Sequence, residues 1–396
     1  MTVRSSRAAE AAKLALLRLL LWATPALRHA VVAGFPDDEG NSVEIVRALS
    51  RRMPVYWLTG DRPDRVRWLV PEGETRYEVR RMSKNTVRAY LAYVSARYVF
   101  FTHGLFGSTL PPPHKTFVNL WHGDGPKRSK RFANVRSTYV VAGTQLWGGQ
   151  RPLHFGVGEN GVLVTGNPRV DQLARPPGDE TLGLLGIDPD KPLVLWMPTF
   201  RQTEYRGNRL AAVQNWADAE TLSRSGPARE LAAQVGAVAQ RHGVTVAIKP
   251  HPLDADGYQA MGLPVVTGDD LLREQITLYQ LLGRSQGLIT DYSSVWTDYL
   301  TMDRPIGFYC PDLDEYEATR GLNVEHYADL IPGPLLEYVT DFEQFLRDCV
   351  DESPASRDRR ATSISRIGAE TRLGASDRLL DALGIARAGE PTCPQG

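Results

Sequence analysis

Short apolar runs that alternate with helical stretches constrain the fold of this chain most strongly. The first set of runs lies at Ala30–Gly34, Pro54–Leu58, Tyr98–Thr102, Thr116–Trp121, Thr138–Ala142 and Val162–Gly166. The second set lies at Leu193–Met197, Val244–Lys249, Pro264–Thr267, Gly287–Thr290 and Ile306–Tyr309. Because buried strands separated by helices form parallel sheets covered on both faces, this order predicts an α/β fold with two doubly wound domains facing a cleft.

The length of the chain, 396 residues, suits two domains of ordinary size. The Pro-, Gly- and Asp-rich segment Ala174–Lys191 is predicted to connect them. The predicted division is an amphipathic helix at 1–29, a first domain at 30–175, a second domain at 185–375 and a disordered tail at 388–396. The charged segment Ser356–Arg387 is predicted to be helical.

Charge and cysteine content exclude several classes of protein. The formal net charge is zero, so nothing global indicates a nucleic-acid partner. Cys310, Cys349 and Cys393 lie far apart without a CxxC pair. This spacing excludes a disulfide framework or a zinc cluster and fits a reducing cytoplasm.

The first 29 residues combine leucines with basic residues. Leu14–Trp22 is too short to span a bilayer, which needs roughly 20 apolar residues, and Arg18 interrupts it. A basic amphipathic helix lying on an anionic membrane surface fits this composition. A first helix packed on its own domain fits it equally.

The turn after the run Gly287–Ile289 favours an anion site. Thr290–Ser294 is polar, and the apolar residues that follow have helical spacing. A strand, a polar turn and a helix N-terminus together direct backbone N–H groups and Ser hydroxyls at one place, which suits a phosphate. The alternative is an ordinary capped turn.

Other strand ends carry polar residues as well, and ligands of such sheets bind beyond the carboxyl ends of the strands. The second domain has five candidate donors for phosphate oxygens: Arg201, Lys249, His251, Ser293 and Ser294. The first has His122, whose ordinary pKa of about 6.5 suits a general base. Each residue alone could instead be an ordinary turn or surface residue.

These motifs, in this order, resemble the CDP-glycerol glycerophosphotransferase family of teichoic-acid primases and polymerases. The motifs are Trp121-His122-Gly123, Gly166-x-Pro168-Arg169-x-Asp171, Pro198-Thr199-Phe200-Arg201, Lys249-Pro250-His251-Pro252, Ile289-Thr290-Asp291-Tyr292-Ser293-Ser294 and Arg320-Gly321. The resemblance covers roughly Phe117 to Pro334. It implies a GT-B fold, a nucleotide held mainly by the C-terminal domain, and peripheral attachment to the inner face of the cell membrane.

The resemblance also implies roles for single residues. His122 would be the catalytic base, and His251 would contact the donor diphosphate during catalysis. The residues expected to bind the donor are Arg201, Lys249, Thr290, Asp291, Ser293, Ser294 and Arg320. Asp124, Lys127 and Arg169 would contact the acceptor or support the site. No metal and no cofactor are expected. The sequence departs from the family at Asp124-Gly125-Pro126-Lys127 and at Leu322 after Arg320-Gly321.

The implied reaction transfers glycerol phosphate from CDP-glycerol, or a related polyol phosphate from CDP-ribitol, to a hydroxyl of a lipid-linked polyol-phosphate or glycan acceptor. CMP would leave, in the synthesis of a teichoic-acid-like or capsule polymer. A GT-B glycosyltransferase that uses a nucleotide sugar is one alternative, since fold does not fix substrate. A catalytically silent membrane-bound assembly scaffold is the other.

Overall fold

The computed structural model of the protein describes residues 2–60, 62–107, 109–128, 132, 135–198, 203–206, 209–212, 226–250, 262–319 and 321–387. Three predicted site residues (Arg201, His251 and Arg320) and the predicted tail at 388–396 lie outside the described residues. The chain divides into two compact units. Unit 1 comprises Met1–Asp124, Ser129–Gln172 and Arg372–Gly396, and unit 2 comprises Gly125–Arg128 and Leu173–Thr371.

Unit 1 is built on a seven-stranded parallel sheet with the order β3-β2-β1-β4-β5-β6-β7. Its strands are β1 (Leu27–Ala33), β2 (Val55–Thr59), β3 (Val79–Ser83), β4 (Ala96–Phe101), β5 (Thr116–Asn119), β6 (Tyr139–Ala142) and β7 (Val162–Val164). Its helices before Leu173 are α1 (Thr2–Ala23), α2 (Gly40–Leu49), α3 (Val87–Ser95), α4 (Gln145–Gly148) and α5 (Arg151–Phe155). All seven carboxyl ends therefore meet at one edge of the sheet.

Two apolar clusters cover the two faces of the unit 1 sheet. Val31, Val99 and Phe117 pack with α1 and α3, whereas Val32 and Phe100 pack with α2. Neighbouring residues of a strand point to opposite faces, so the middle of each of these central strands is apolar on both faces. This double cover explains why the central strands read as continuous apolar runs in the sequence.

Unit 2 contains a four-stranded parallel sheet with the order β11-β8-β12-β13 and a separate antiparallel hairpin of β9 and β10. The strands are β8 (Leu193–Trp196), β9 (Thr203–Arg206), β10 (Arg209–Ala212), β11 (Thr245–Ile248), β12 (Gly287–Thr290) and β13 (Ile306–Phe308). The helices are α6 (Asp179–Leu184), α7 (Gly226–Arg241), α8 (Gly268–Arg273), α9 (Leu278–Arg284), α10 (Val295–Tyr299), α11 (Leu313–Thr319), α12 (Tyr327–Leu330), α13 (Val339–Val350) and α14 (Pro354–Ile367).

The C-terminal segment leaves unit 2 and ends in unit 1 as α15 (Ala375–Ala382). The Asp171 carboxylate accepts hydrogen bonds from the N–H groups of Gly374, Ala375 and Ser376 at 2.7–2.9 Å. The buried guanidinium of Arg52 contacts Asp377 and Asp381 of the same helix, each at 2.6 Å. Asp171, singled out in the sequence as part of a motif, thus caps a helix that lies some 200 residues further along the chain.

The structure corrects three predictions of local structure. The predicted connection Ala174–Lys191 contains α6 and is part of unit 2, because Leu182 and Ile187 are buried there. The predicted strand Pro264–Thr267 is reduced to one bridge between Val265 and Ile248, since Thr267 already caps α8. The predicted helical segment Ser356–Arg387 is two helices, α14 and α15, which the left-handed residues Gly368 and Gly374 delimit.

The N-terminal helix α1 packs on unit 1 by one face only. Leu17 and Leu21 are buried in the α3-side cluster, and buried Lys115 donates from Nζ to the carbonyls of Leu21 and Thr24 at 2.6 and 2.7 Å. Leu16, Leu19, Leu20 and Trp22 are 41–65% exposed. No helix in the described part of the chain combines the length and apolar composition needed to cross a bilayer.

Candidate active site

The loop after β5 carries His122 on a strained backbone. Trp121 has a φ of +53°, and its N–H donates to Asn119 Oδ1 at 2.9 Å. Gly123 follows with a φ of +138°, which only glycine adopts at low cost. Left-handed backbone at a non-glycine residue costs about 1–3 kcal/mol and persists only where the surroundings enforce it. The fold therefore stabilises an otherwise unfavourable loop to present His122.

Two residues far away in sequence hold this loop. Arg169, which follows β7, donates from Nη1 to the His122 carbonyl at 2.6 Å. Asn41 of α2 donates to the Trp121 carbonyl at 3.2 Å and accepts from the Arg169 N–H at 3.0 Å. Both Arg169 and Asn41 are buried. Arg169, predicted as an acceptor-contacting or supporting residue, thus fixes the backbone of His122.

Asp124 forms a buried ion pair directly after this loop. Its carboxylate contacts the Arg151 guanidinium and accepts from the Gly143 N–H at 2.6 Å and the Thr144 hydroxyl at 3.2 Å. Arg151 also donates to the Gly123 carbonyl at 3.3 Å. Asp124 and Arg151 are nearly inaccessible to solvent, at 1% and 3% exposed. This arrangement fits a supporting role for Asp124 in holding the His122 loop.

The His122 ring stands at the exposed edge of the unit 1 sheet beside a second histidine. The His103 ring lies parallel to it, with 4.7 Å between ring centroids and 6° between planes. The pKa of His122 is lowered from 6.5 by desolvation and by the positive charges of His103, Arg169 and Arg151. His122 is nevertheless exposed to solvent. His122 is therefore a neutral imidazole with an accessible lone pair near neutral pH.

His103, Asn41 and Arg151 were not among the predicted site residues. His103 could have been found, because it directly follows the predicted strand Tyr98–Thr102, just as His122 follows Thr116–Trp121. Strands β4 and β5 are neighbours in the sheet, so the two histidines meet. Asn41 and Arg151 lie within helices, and only the tertiary fold brings them to the loop.

In unit 2, the polar turn predicted after β12 lies where expected and leads into α10. Buried Thr290 donates from its hydroxyl to the Met197 carbonyl at 3.2 Å, and the buried Asp291 carbonyl accepts from the Tyr327 hydroxyl at 2.7 Å. Ser293 and Ser294 are partly exposed. The Ser294 side chain makes no capping hydrogen bond, although Ser294 is the N-cap residue. Its hydroxyl is therefore not consumed by capping the helix.

The helix after this turn is short, because α10 has five residues and continues as one 3₁₀ turn, Leu300–Met302. A short helix adds little macrodipole, so hydroxyls and backbone N–H groups carry most of the attraction that this turn offers an anion. Tyr292, within the turn, is held by two contacts. Its ring stacks on the Tyr316 ring with 3.8 Å between centroids, and its hydroxyl donates to Asp312 Oδ1 at 3.1 Å.

Lys249 directly follows β11, at the same edge of the unit 2 sheet. It is 7% exposed, and its Nζ donates to the Pro250 carbonyl at 2.9 Å. Burial lowers the pKa of Lys249. No carboxylate among the described residues lies within ion-pair distance of it. Because β8 separates β11 from β12, the ends of these two strands lie two strand spacings apart, roughly 10 Å. Burying an ammonium is costly unless an anionic group lies near it, so the buried position of Lys249 suits a phosphate ligand.

The segment Gly125–Arg128 packs within unit 2. It pairs with the chain after Arg320: the Arg128 N–H donates to the Gly321 carbonyl at 3.1 Å, and the Asn323 side-chain amide donates to the Lys127 carbonyl at 2.6 Å. Gly125 lies against Ser294 so closely that a Cβ there would stand 2.9 Å from the Ser294 Cβ. Glycine at 125, where the sequence departs from the family, is therefore a packing requirement of the turn. The Lys127 side chain is exposed.

The described residues contain no group of three or more His, Cys, Asp or Glu side chains that could hold a metal ion. Arg201, His251 and Arg320 are outside those residues, so their predicted roles stay predictions. The same is true of the prediction that the reaction needs no metal.

Comparison with known proteins decides the family. Residues 44–383 match the family described as CDP-Glycerol:Poly(glycerophosphate) glycerophosphotransferase, which is most of the chain. The chain belongs to this family. The glycerophosphotransferase match includes His122, Arg169, Lys249 and the Ser293–Ser294 turn, and it begins after α1.

Relatives within the glycerophosphotransferase family are teichoic-acid enzymes. The chain is 25% identical over 265 residues to the teichoic acid glycerol-phosphate primase of Bacillus subtilis (strain 168), which is 62% of this chain and 63% of the primase. It is 44% identical over 64 residues to the teichoic acid ribitol-phosphate primase of Bacillus spizizenii (strain ATCC 23059 / NRRL B-14472 / W23), 16% of either chain. The matched region thus spans less than two thirds of either relative.

The solved structure of the wall teichoic acid polymerase TagF superposes with a TM-score of 0.65 at 18% identity, covering 97% of this chain and 96% of that one. At this identity the likeness concerns the fold alone. Together with the two parallel sheets, it confirms the predicted GT-B class with two Rossmann-like domains.

Proposed function

We propose that this protein transfers glycerol phosphate, or a related polyol phosphate, from a CDP-activated donor to a hydroxyl of a membrane-linked acceptor in teichoic-acid-like or capsule polymer synthesis. The observation that carries the proposal is the family match over residues 44–383. The positions of His122, Lys249, Ser293 and Ser294 at the carboxyl ends of their sheets support it, because ligands of open α/β sheets bind there.

In this reaction the acceptor oxygen attacks the phosphorus that bears glycerol. The bond from that phosphorus to the bridging oxygen breaks, CMP leaves with the electron pair, and the acceptor proton passes to His122. Lys249 and the Ser293–Ser294 turn bind the donor phosphates, with Arg201, His251 and Arg320 in the same role. Positioning and charge neutralisation supply most of the catalysis in such transfers.

The lowered pKa of His122 suits this step. A neutral imidazole is ready to accept a proton across the neutral range, but it is a weaker base than an ordinary histidine. Phosphoryl transfer passes through a loose transition state in which the attacking hydroxyl becomes acidic late. A weak base is sufficient at that point, since the proton leaves only after the new bond has largely formed.

A donor panel tests the proposal. We expect CMP release from CDP-glycerol or CDP-ribitol when a lipid-linked polyol phosphate is present, and no nucleotide release from UDP- or GDP-sugars. The 44% match to a ribitol-phosphate primase supports including CDP-ribitol. Release of UDP or GDP without CMP would identify a glycosyltransferase instead, and no turnover with any donor would favour an assembly scaffold.

Removing the buried charge at Lys249 should weaken donor binding. The variant Lys249→Met keeps the length of the side chain but cannot neutralise a phosphate. Loss of one charge-assisted contact costs about 1.5–3 kcal/mol, so we expect the Kd for CDP-glycerol to rise roughly 10- to 150-fold. Ser293→Ala removes a neutral donor and should raise the Kd about 2- to 10-fold. Isothermal calorimetry measures both effects without turnover.

The matched control is Lys191→Met. Lys191 is also in unit 2, but it is 49% exposed and paired with Asp188 at 2.9 Å. Its replacement should leave the Kd unchanged. If Lys249→Met and Ser293→Ala bind CDP-glycerol as tightly as the native protein does, the donor site lies elsewhere.

The exposed face of α1 supports attachment to the cytoplasmic surface of the membrane, where a lipid-linked acceptor would be met. Leu16, Leu19 and Leu20 have the spacing of a single helix face, and exposed Arg18 and Lys13 lie on the same helix. Leucines that enter the interface and basic residues that meet anionic headgroups both favour binding, the latter by about 1 kcal/mol each.

Three substitutions of exposed apolar residues on α1 should strongly weaken membrane binding while sparing the fold. Leu16, Leu19 and Trp22 are 58–65% exposed, so changing all three to Ser removes little buried contact. At about 1.5 kcal/mol or more for each large apolar side chain, we expect partitioning onto anionic vesicles to fall more than about 100-fold in sedimentation assays. Salt should weaken native binding, because surface charges are screened over about 8–10 Å.

The control for this triple variant changes exposed leucines in unit 2, Leu184 and Leu272, to Ser. It should sediment with vesicles as the native protein does. Equal sedimentation of all three proteins would place the membrane contact elsewhere, and failure of the native protein to sediment would show that α1 is only a packed helix.

A further inference from the structure

His103 is the one ring that stacks face to face with the proposed base His122 in the described residues. The rings are 4.7 Å apart and within 6° of parallel, and both reach solvent. His103 follows β4 and His122 follows β5, so adjacent strands of the sheet present the pair. The pair is therefore set by the sheet itself.

The surroundings of His103 fix its ring. Its Nδ1 lies 3.0 Å from the Thr102 hydroxyl, and that oxygen accepts from the Phe35 N–H at 3.0 Å. Thr102 is fully buried, so the anchor is rigid. The Phe35 and His103 rings pack edge to face, with 5.6 Å between their centroids. An anchored Nδ1 leaves the Nε2 side of the ring as the position where a proton enters or leaves.

The charges around the two rings differ. His122 is close to Arg169, which follows β7, and to Arg151 of α5, whose charge Asp124 partly compensates. Glu39, at the start of α2, faces Arg169. His103 contacts the neutral groups Thr102, Phe35 and Trp121 besides His122. Two stacked imidazolium cations repel each other, so the pair holds one proton more readily than two.

We propose that His103 is a positioning residue for His122: it holds the His122 ring parallel to its own and takes the first proton as the pH falls, so that His122 stays neutral. The proposal rests on the proposed role of His122 as the base. His103 needs no contact with substrate in this role. In the sequence, His103 directly follows a predicted strand, as His122 does.

Two variants separate the effects of the ring and of the charge. His103→Phe keeps a flat ring for stacking but cannot be protonated, and His103→Ala removes both. Without the neighbouring positive charge, protonated His122 is less disfavoured, so its apparent pKa should rise in both variants. Since protonated His122 is inactive as a base, the acid limb of the kcat/KM profile should move to higher pH.

Measurements of kcat test whether the His103 ring holds the His122 ring in position. At pH 8, where both histidines are neutral, His103→Phe should keep kcat within about threefold, whereas His103→Ala should lose about 10- to 100-fold because the base is no longer held in place. A purely structural histidine would change kcat through folding and would leave the pH profile in place.

The decisive measurement is an NMR titration of the full chain with ¹³C-labelled histidine rings, in which the His122→Ala spectrum identifies the His122 resonance. The control His114→Gln changes an exposed histidine whose ring bonds only the Thr24 carbonyl. Upward movement of the His122 titration in both His103 variants, but not in the control, supports the inference. An unchanged titration overturns it, even if transfer activity is present. Absence of transfer activity leaves the titration result intact and contradicts only the proposed function.

Discussion

Replacing His122 by Ala should lower kcat for transfer from CDP-glycerol by about 10²–10⁴-fold, which is the usual contribution of general-base catalysis. Donor affinity should stay within about twofold, because the proposed donor contacts belong to other residues. The side chain reaches solvent and its carbonyl, not its ring, anchors the loop, so the variant should fold normally. Turnover assays test the first half and calorimetry the second.

The control for this variant is His114→Gln, which should retain native kcat. If His122→Ala retained native turnover, His122 would have no catalytic role and would be only a residue of the turn. A large loss of donor affinity with little loss of kcat would assign it to binding rather than to proton transfer.

Replacing Asp124 by Ala should cost about 3–5 kcal/mol of unfolding free energy, because it leaves the buried Arg151 charge uncompensated. The Gly143 N–H and the Thr144 hydroxyl lose their acceptor at the same time. Asp124→Asn retains an oxygen acceptor and should be less severe. Since Arg151 also bonds the Gly123 carbonyl, both variants should reduce turnover through the His122 loop. Urea denaturation measures the stability loss.

The matched control is Glu72→Ala in the same unit, which breaks the ion pair with Arg67 at 2.7 Å. Those side chains are 63% and 70% exposed, and exposed pairs contribute about 0–1 kcal/mol. If Asp124→Ala costs no more than Glu72→Ala, the buried pair does not stabilise the loop.

Local sequence patterns were sufficient for most of the framework. Continuous apolar runs predicted β1, β4 and β12, since central parallel strands are buried on both faces. The strand β3, Val79–Ser83, was not predicted, because three of its five residues are polar or charged. It lies at the edge of the sheet and pairs with one strand, β2, so it needs fewer apolar residues than a central strand. A capping residue likewise ended the predicted strand at Pro264–Thr267, because Thr267 is the N-cap of α8.

Tertiary relations were beyond the reach of these patterns. Nothing local indicates that Asp171 caps α15 or that Asn41 bonds the Trp121 carbonyl, because each pair is distant in sequence. The strand-end rule did place His122, Lys249 and Ser293 after strands that the structure contains, since it depends only on where a strand stops; their roles stay predictions. It would have found His103 had it been applied to Tyr98–Thr102.

The proposed reaction breaks a phosphorus–oxygen bond and transfers glycerol together with its phosphate. CDP-glycerol labelled with ¹⁴C in glycerol and with ³²P in the phosphate that bears it, incubated with a short lipid-linked polyol phosphate, tests this directly. We predict equal incorporation of both labels into the lipid product and release of unlabelled CMP. Incorporation of ¹⁴C without ³²P, with labelled CDP released, would show glycosyltransferase-type carbon–oxygen cleavage and contradict the account.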